Sequence, residues 1–249
     1  MDSIAVILAA GKGTRMRSSL PKVLHPLLGR PMITYSVASA REATGRIPVV
    51  VLGHRAGQVK AVLGPDARAV IQAEQLGTGH AVLQAKSAAS GQAELVLVIS
   101  ADMPLLTART LRGLIEAQDS HDGPFSMLTV AGEVSLGFGR VVRDAAGSVT
   151  AVVEETAATP EQLAIREYNV GAYCFSDGWL WSALEKIEIS PKGEYYLTDL
   201  VGIAAAAGLQ VKAMAVTDPA EAIGINTLEH LRLAETELLA RRTPAGIQS

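Results

Sequence analysis

The sequence predicts an α/β fold with a mostly parallel central sheet, helices on both faces, and a small mixed β extension. Short runs of apolar, largely β-branched residues alternate with longer helical stretches through the first half. Those runs are apolar at nearly every position, as strands covered on both faces are. From Phe125 onward the texture changes to a succession of short strand candidates, one pair of them joined by a tight turn.

Taken in order, Ile4 to Leu8 reads as a buried strand that runs into a glycine-rich turn. Pro31 to Glu42 reads as a helix with proline in its first turn. Ile47 to Leu52, Ala69 to Gln72 and Glu94 to Ser100 are further strands, and Thr78 to Ala89 and Thr107 to Gln118 are helices around them. Ligands in such sheets bind beyond the carboxyl ends of the strands. The loops after Leu8, Gln72 and Ser100 are therefore expected to form one site. Phe125 to Ala131, Arg140 to Arg143 and Ser148 to Glu154 follow as short strands, with Asp144 to Gly147 as a hairpin turn. Thr227 to Arg242 is expected to be a terminal helix carrying Leu228, Leu231, Leu238 and Leu239 among charges, and residues 243–249 a frayed tail. With no internal repeat and no linker rich in Gly, Ser or Pro, residues 1–242 read as a single domain.

Of the 249 residues, 49% are hydrophobic and 19% charged, which describes a chain with a buried core. Only 4% are aromatic, so Ala, Val, Leu and Ile must fill that core. A net charge of −3 without a long basic run excludes a broad positive surface for nucleic acid. The single cysteine, Cys174, excludes an intramolecular disulfide and a Cys-rich zinc site, and its apolar neighbours Ala172, Tyr173 and Phe175 mark it as a core residue. No apolar stretch has the length of a membrane span, and the first strand lacks the basic region of a signal peptide. A cytoplasmic protein is expected.

The loop Ala9-Ala10-Gly11-Lys12-Gly13-Thr14-Arg15-Met16 places two glycines around a lysine, with Arg15 and then Pro21-Lys22 nearby. Glycines expose backbone N–H groups and let a ligand approach, and the cations favour an oxyanion. A Walker A loop needs Ser or Thr after its lysine, but Gly13 follows Lys12; a dinucleotide fingerprint needs a glycine where Met16 stands. The other reading is a strand-to-helix turn with solvated charges. Asp102, just past a strand end, suits either Mg²⁺ or a helix cap, although Thr107 is better placed to cap. Asn226 precedes the terminal helix and reads by itself as its cap. Gln72, Gln75, Gly77 and Thr78 can present an amide edge and a flat backbone to a base, or form an ordinary loop capped by Thr78. His80 follows in the first helical turn as a structural residue. Glu154 reads by itself as a strand-end charge and Asn169 as a turn residue, although a carboxylate and an amide can also partner hydroxyls. No Ser, His or Cys is arranged as a nucleophile with its base, so direct transfer is expected.

Leu8 to Met16 followed by Leu20-Pro21-Lys22 resembles the signature of the sugar-nucleotide pyrophosphorylases. Gln72 to Ala81 is similar to the uridyltransferase domain of the bifunctional N-acetylglucosamine-1-phosphate uridyltransferases, as are Gly137 to Arg140, Glu154, Asn169-Val170-Gly171, Gly193 to Asp199 and Gly224-Ile225-Asn226. The resemblance spans residues 4 to about 240. It implies a Rossmann-like fold of the nucleotide-diphospho-sugar transferase type, with nucleotide binding over about 1–120, sugar binding over about 121–226 and the terminal helix at 227–242. It implies a Mg²⁺-dependent reaction of UTP with N-acetylglucosamine 1-phosphate, releasing pyrophosphate and supplying a cell-wall precursor. Arg15 and Lys22 would be catalytic, and Asp102 with Asn226 would hold the metal. Leu8, Ala9, Ala10, Gly11, Gly13, Gln72, Gln75, Gly77 and Thr78 would bind the nucleotide, and Gly139, Glu154 and Asn169 the sugar.

Ser100-Ala101-Asp102 stands where the family usually has Tyr-Gly-Asp, and Glu155-Thr156-Ala157-Ala158 stands where a Lys-Asp pair commonly follows Glu154. These departures predict strict use of UTP with relaxed choice of sugar. The family's acetyltransferase repeats do not appear in this sequence, which is either a truncated piece of such a protein or a natural single-domain relative; a monomer without acetyltransferase activity is expected. Transfer to another sugar 1-phosphate, guanylylation of a pterin cofactor, and a non-catalytic sugar-nucleotide sensor are the competing readings. The Gln72 to Ala81 run opposes the pterin, and retention of Arg15, Lys22 and Asp102 opposes the sensor.

Overall fold

The computed structural model describes residues 2–132 and 137–242, so the expected tail at 243–249 lies outside the described residues. In chain order the first half holds β1 (Ser3–Ala9), β2 (Pro26–Leu27), β3 (Arg30–Pro31), α1 (Ile33–Thr44), β4 (Val49–Leu52), α2 (Ala56–Leu63), β5 (Arg68–Ile71), α3 (Thr78–Gln84), α4 (Lys86–Ala89), β6 (Leu95–Ser100) and α5 (Ala108–Asp119). The second half holds β7 (Phe125–Ala131), β8 (Arg140–Arg143), β9 (Val149–Val153), α6 (Pro160–Leu163), β10 (Glu167–Ser176), α7 (Asp177–Leu184), α8 (Asp199–Ala206), β11 (Lys212–Ala215) and α9 (Leu228–Arg242).

The main sheet has nine strands in the order β11-β7-β10-β6-β1-β4-β5, with the β8–β9 hairpin attached through β10. β6, β1, β4 and β5 run parallel, and β11 runs parallel to β7. β10 is antiparallel to both of its neighbours, β6 and β7. The mostly parallel sheet with a mixed addition is therefore present. The mixed part after Phe125 is joined at the β6 edge of the parallel block: β10 pairs with β6, and β7 and β11 follow outward.

Alternate residues of each strand point to opposite faces, and both faces are apolar. Ala5, Ile7, Leu97 and Ile99 pack on one side with Ile33 and Val37 of α1, Val59 of α2 and Leu111 and Leu114 of α5. Ile4, Val6, Val96 and Val98 pack on the other with Ala81 and Val82 of α3, Leu180 and Trp181 of α7 and Leu200 and Val201 of α8. The few aromatics concentrate here: Phe175 lies 4.8 Å from Phe125 and 5.6 Å from Tyr173 between ring centroids. Cys174 is fully buried, and burial pushes its thiol up to about 12. A smaller cluster, including Leu27, Met32, Leu105, Ile225 and Leu231, docks α9 beside β2 and β3. Among the described residues no helix is long and apolar enough to cross a membrane.

Several expected boundaries move. Pro31 does not open α1; it pairs with Pro26 in the two-residue ladder of β2 and β3, and the helix starts at Ile33. The helix expected over Thr78 to Ala89 divides at Ala85 into α3 and α4. Thr107 caps α5 as expected, its hydroxyl accepting from the Thr110 N–H, while the buried Glu221 carboxylate accepts from the Thr107 N–H at 2.9 Å. The Asp144 to Gly147 turn forms between β8 and β9, with Gly147 at φ 86°.

Candidate functional site

Loops at the carboxyl ends of β1, β5 and β6 surround one cavity of about 560 Å³. Leu8, Ala9, Ala10, Gly11, Gly13, Arg15, Lys22, Gln72, Gln75, Gly77, Thr78, Asp102 and Asn226 all line it, so residues from four distant parts of the sequence meet there. Gly11 has nothing within 4 Å of a built Cβ and opens to the cavity. Gly13 serves a different need: it lies at φ +63°, and a Cβ there would stand 2.5 Å from the Lys22 Cβ. Glycine at 13 thus makes room for the lysine. The short turn Thr14–Met16 buries Met16 and leaves Arg15 at the mouth of the cavity.

The cations and oxygens form one cluster. Lys22 Nζ donates to Asp102 Oδ2 at 2.5 Å and to Asn226 Oδ1 at 2.9 Å, and Arg15 donates to the same Asn226 oxygen at 2.9 Å. The Lys22 and Asp102 side chains are only 14% and 21% exposed, so solvent screens this pair less than a surface pair. The Asp102 carbonyl accepts from the Ile225 N–H at 2.8 Å, which brings the segment before α9 against the end of β6. Asn226 does not cap α9: the His230 N–H donates to Thr227 Oγ1 at 3.2 Å, and the Asn226 side chain turns to Lys22 and Arg15. A carboxylate oxygen and an amide oxygen converging on one positive charge are hard donors of the kind Mg²⁺ takes, with phosphates and waters completing its shell. Among the described residues no three His, Cys, Asp or Glu side chains gather to hold a metal, so an ion bound here would depend on such outside oxygens.

The loop after β5 is held from behind. Gln72 is 2% exposed, and its amide nitrogen donates to the Gly77 carbonyl at 3.1 Å and lies 3.0 Å from His80 Nδ1. Gln75 donates to the Gln72 carbonyl at 3.0 Å. Both glutamine nitrogens are thus committed, Gln72 to Gly77 and His80 of α3, Gln75 to the Gln72 carbonyl. Thr78 does not cap α3; its hydroxyl accepts from the Leu197 N–H at 2.9 Å. The Tyr195 N–H donates to the Leu76 carbonyl, and the Gly79 N–H to the Tyr195 carbonyl, each at 2.8 Å. The segment Gly193 to Asp199 therefore fixes the loop, and it adds Glu194 and Tyr196 to the cavity wall. The sequence alone gives neither residue a role, although both fall inside the Gly193 to Asp199 motif.

Gly77 is where this attachment is tightest. It lies at φ +99°, and a Cβ would come within 2.5 Å of the Tyr195 carbonyl oxygen and 2.7 Å of its nitrogen. Backbone cannot yield as a flexible side chain does, so Gly77→Ala is expected to cost about 2 kcal/mol or more of unfolding free energy. Urea unfolding checks this; an unchanged midpoint would mean that the two segments separate freely.

Gly139, Glu154 and Asn169 are not among the residues lining the cavity; they form a group of their own. The Asn169 N–H donates to the Gly139 carbonyl at 2.8 Å, and a Cβ on Gly139 would touch Glu154 Oε1 at 3.4 Å. Asn169 is buried with its amide hydrogen-bonded to the Tyr173 hydroxyl, so it is not a simple turn residue. Burial raises the Glu154 carboxyl above its ordinary range, Lys192 opposes this, and Asp199 adds to it. Tyr196 lines the cavity; burial raises its phenol, a hydrogen bond with Ser190 opposes this, and Glu194 and the charge of Glu154 add to it.

A family model described as a MobA-like NTP transferase domain matches residues 5–199. The bifunctional protein GlmU of Burkholderia ambifaria (strain MC40-6) is 48% identical over 243 residues, covering 96% of this chain and 52% of that protein. The bifunctional protein GlmU of Pelotomaculum thermopropionicum is 46% identical over 243 residues, covering 97% and 53%. The chain thus spans about half the length of the curated relatives it matches. A solved structure of a nucleotidyl transferase from Methanothermobacter thermautotroptrophicus has a TM-score of 0.70 at 23% identity, covering 97% of this chain and 99% of that one, which is a likeness of fold.

Proposed function

The chain belongs to the MobA-like NTP transferase family, whose activity is nucleotidyl transfer, and from that premise we propose that its substrates are UTP and N-acetylglucosamine 1-phosphate. The observation that carries this reading is the cluster of Arg15, Lys22, Asp102 and Asn226 inside a cavity walled by the glycine-rich loop. The motifs of Gln72 to Ala81 and Gly193 to Asp199 support uridine and the N-acetylated sugar.

In this reaction a sugar-phosphate oxygen attacks the α-phosphorus, the bond to the β-phosphate oxygen breaks, and pyrophosphate departs in line. Such transfers depend on positioning and charge neutralisation. Backbone N–H groups around Gly11 face the triphosphate. Arg15 offers a planar fork of donors to the leaving pyrophosphate, and Lys22 a compact charge to the α-phosphate oxygens. Asp102 and Asn226 would hold Mg²⁺, which when bound neutralises charge on the phosphates. The Gln72 to Thr78 loop, stiffened from behind, forms the base pocket. No covalent intermediate is expected, because the one thiol is buried with its pKa raised.

The direct test is a matrix of nucleoside triphosphates against sugar 1-phosphates, read by pyrophosphate release. UTP with N-acetylglucosamine 1-phosphate is expected to be the most productive pair. Preference for another base would overturn the reading of the Gln72 to Thr78 loop, and absence of turnover with every pair would overturn the substrate assignment.

A further inference from the structure

We infer that Tyr173 is a positioning residue that sets sugar selectivity by orienting Asn169; this rests on the sugar-phosphate reading of the site. Its hydroxyl accepts from Asn169 Nδ2 at 2.7 Å. Residues four apart in a regular strand are separated by about 13 Å, so this contact needs a special backbone. The register between β10 and β7 shifts between Asn169 and Tyr173, and Gly171 within that interval lies at φ 82°. The Gly171 N–H then donates to Asn169 Oδ1 at 3.1 Å. The amide of Asn169 is thereby fixed at both ends, with one N–H and further acceptor capacity left for a ligand's hydroxyls.

Packing alone does not call for a tyrosine here. Tyr173 is 4% exposed, stacked on Phe175 and edge-on to Phe125, surroundings that suit phenylalanine equally. Burying a hydroxyl carries a desolvation cost that a purely structural ring avoids. The ring also faces the right way: Tyr173 pairs with Val98, and Ser100 lies two residues further along the same face of β6, where it lines the cavity. The small side chain of Ser100 leaves that face to the neighbouring strand. Burial raises the phenol, the Asn169 hydrogen bond opposes this and the Glu154 charge adds to it, so the hydroxyl keeps its proton at neutral pH. On this account discrimination between sugars survives the small residue at 100.

The test compares wild type, Tyr173→Phe, Asn169→Ala and the double variant. The readouts are kcat and KM for UTP, for N-acetylglucosamine 1-phosphate and for glucose 1-phosphate, together with the thermal midpoint. Tyr173→Phe is expected to fold with little change in midpoint and an unchanged KM for UTP. Its KM for N-acetylglucosamine 1-phosphate should rise about tenfold, the scale of one hydrogen bond, and its preference over glucose 1-phosphate should fall by a similar factor. In the Asn169→Ala background the same change should add nothing. A wild type that discriminates while Tyr173→Phe keeps the same KM and the same preference overturns this inference alone. So does a Tyr173→Phe chain that fails to fold, because the hydroxyl then belongs to the core. A wild type that turns over no sugar 1-phosphate overturns the inference together with the functional reading beneath it.

Discussion

Asp102→Asn is expected to lower turnover at saturating substrates by at least about a hundredfold, roughly 3 kcal/mol of transition-state stabilisation. The substitution preserves shape and one oxygen, and it removes the charge that would anchor Mg²⁺ and now faces Lys22 at 2.5 Å. Position is separable from charge at this residue, because the contact that brings Asn226 alongside is made by the Asp102 main-chain carbonyl to the Ile225 N–H. The cap of α5 rests on Thr107 and Glu221 and is untouched. The variant should therefore remain folded, with a thermal midpoint near that of wild type, while its Mg²⁺ requirement shifts to higher concentration. Steady-state kinetics across a Mg²⁺ titration measures both effects. Turnover close to wild type at ordinary Mg²⁺ would remove Asp102 from the metal assignment.

The site was legible in the sequence where a single loop carries it, and less so where separate segments assemble. Ile4 to Leu8 and Glu94 to Ser100 are apolar throughout because both of their faces are covered, and they emerge as β1 and β6 within two residues of their expected limits. The loops at their ends followed from that, and they do share one cavity. β10 carries no continuous strand signal, because Asn169 and Gly171 interrupt its apolar pattern where the backbone bulges; those are the residues that turn an amide toward Tyr173. α2 and α8 carry little helical signal, because eight-residue helices leave only two turns of periodicity. Local sequence favours Asn226 as the cap of α9, because it directly precedes that helix. Contacts far apart in sequence decide against it: the Asn226 side chain accepts from Lys22 and Arg15, and Thr227 takes the cap.

Lys22→Met should depress kcat by about a hundredfold or more while leaving the KM for UTP within a few-fold of wild type, because the ammonium acts on charge that develops during transfer. Methionine keeps the stem that packs beside Gly13, where an added Cβ would meet Lys22 Cβ at 2.5 Å, so loop packing is conserved and the missing charge is isolated. The substitution also leaves Asp102 and Asn226 without the cation that both now contact. Arg15 still reaches Asn226 at 2.9 Å, but it cannot replace a compact charge at the α-phosphate. Arg15→Ala should lower kcat as well. Because the two cations share one asparagine oxygen, their effects should combine to less than the product of the single losses. The deciding comparison is kcat against KM in both single variants and the double. Unchanged kcat with a raised KM would make these residues ground-state binders of the triphosphate, and fully multiplicative losses would show that the shared contact to Asn226 does not couple them.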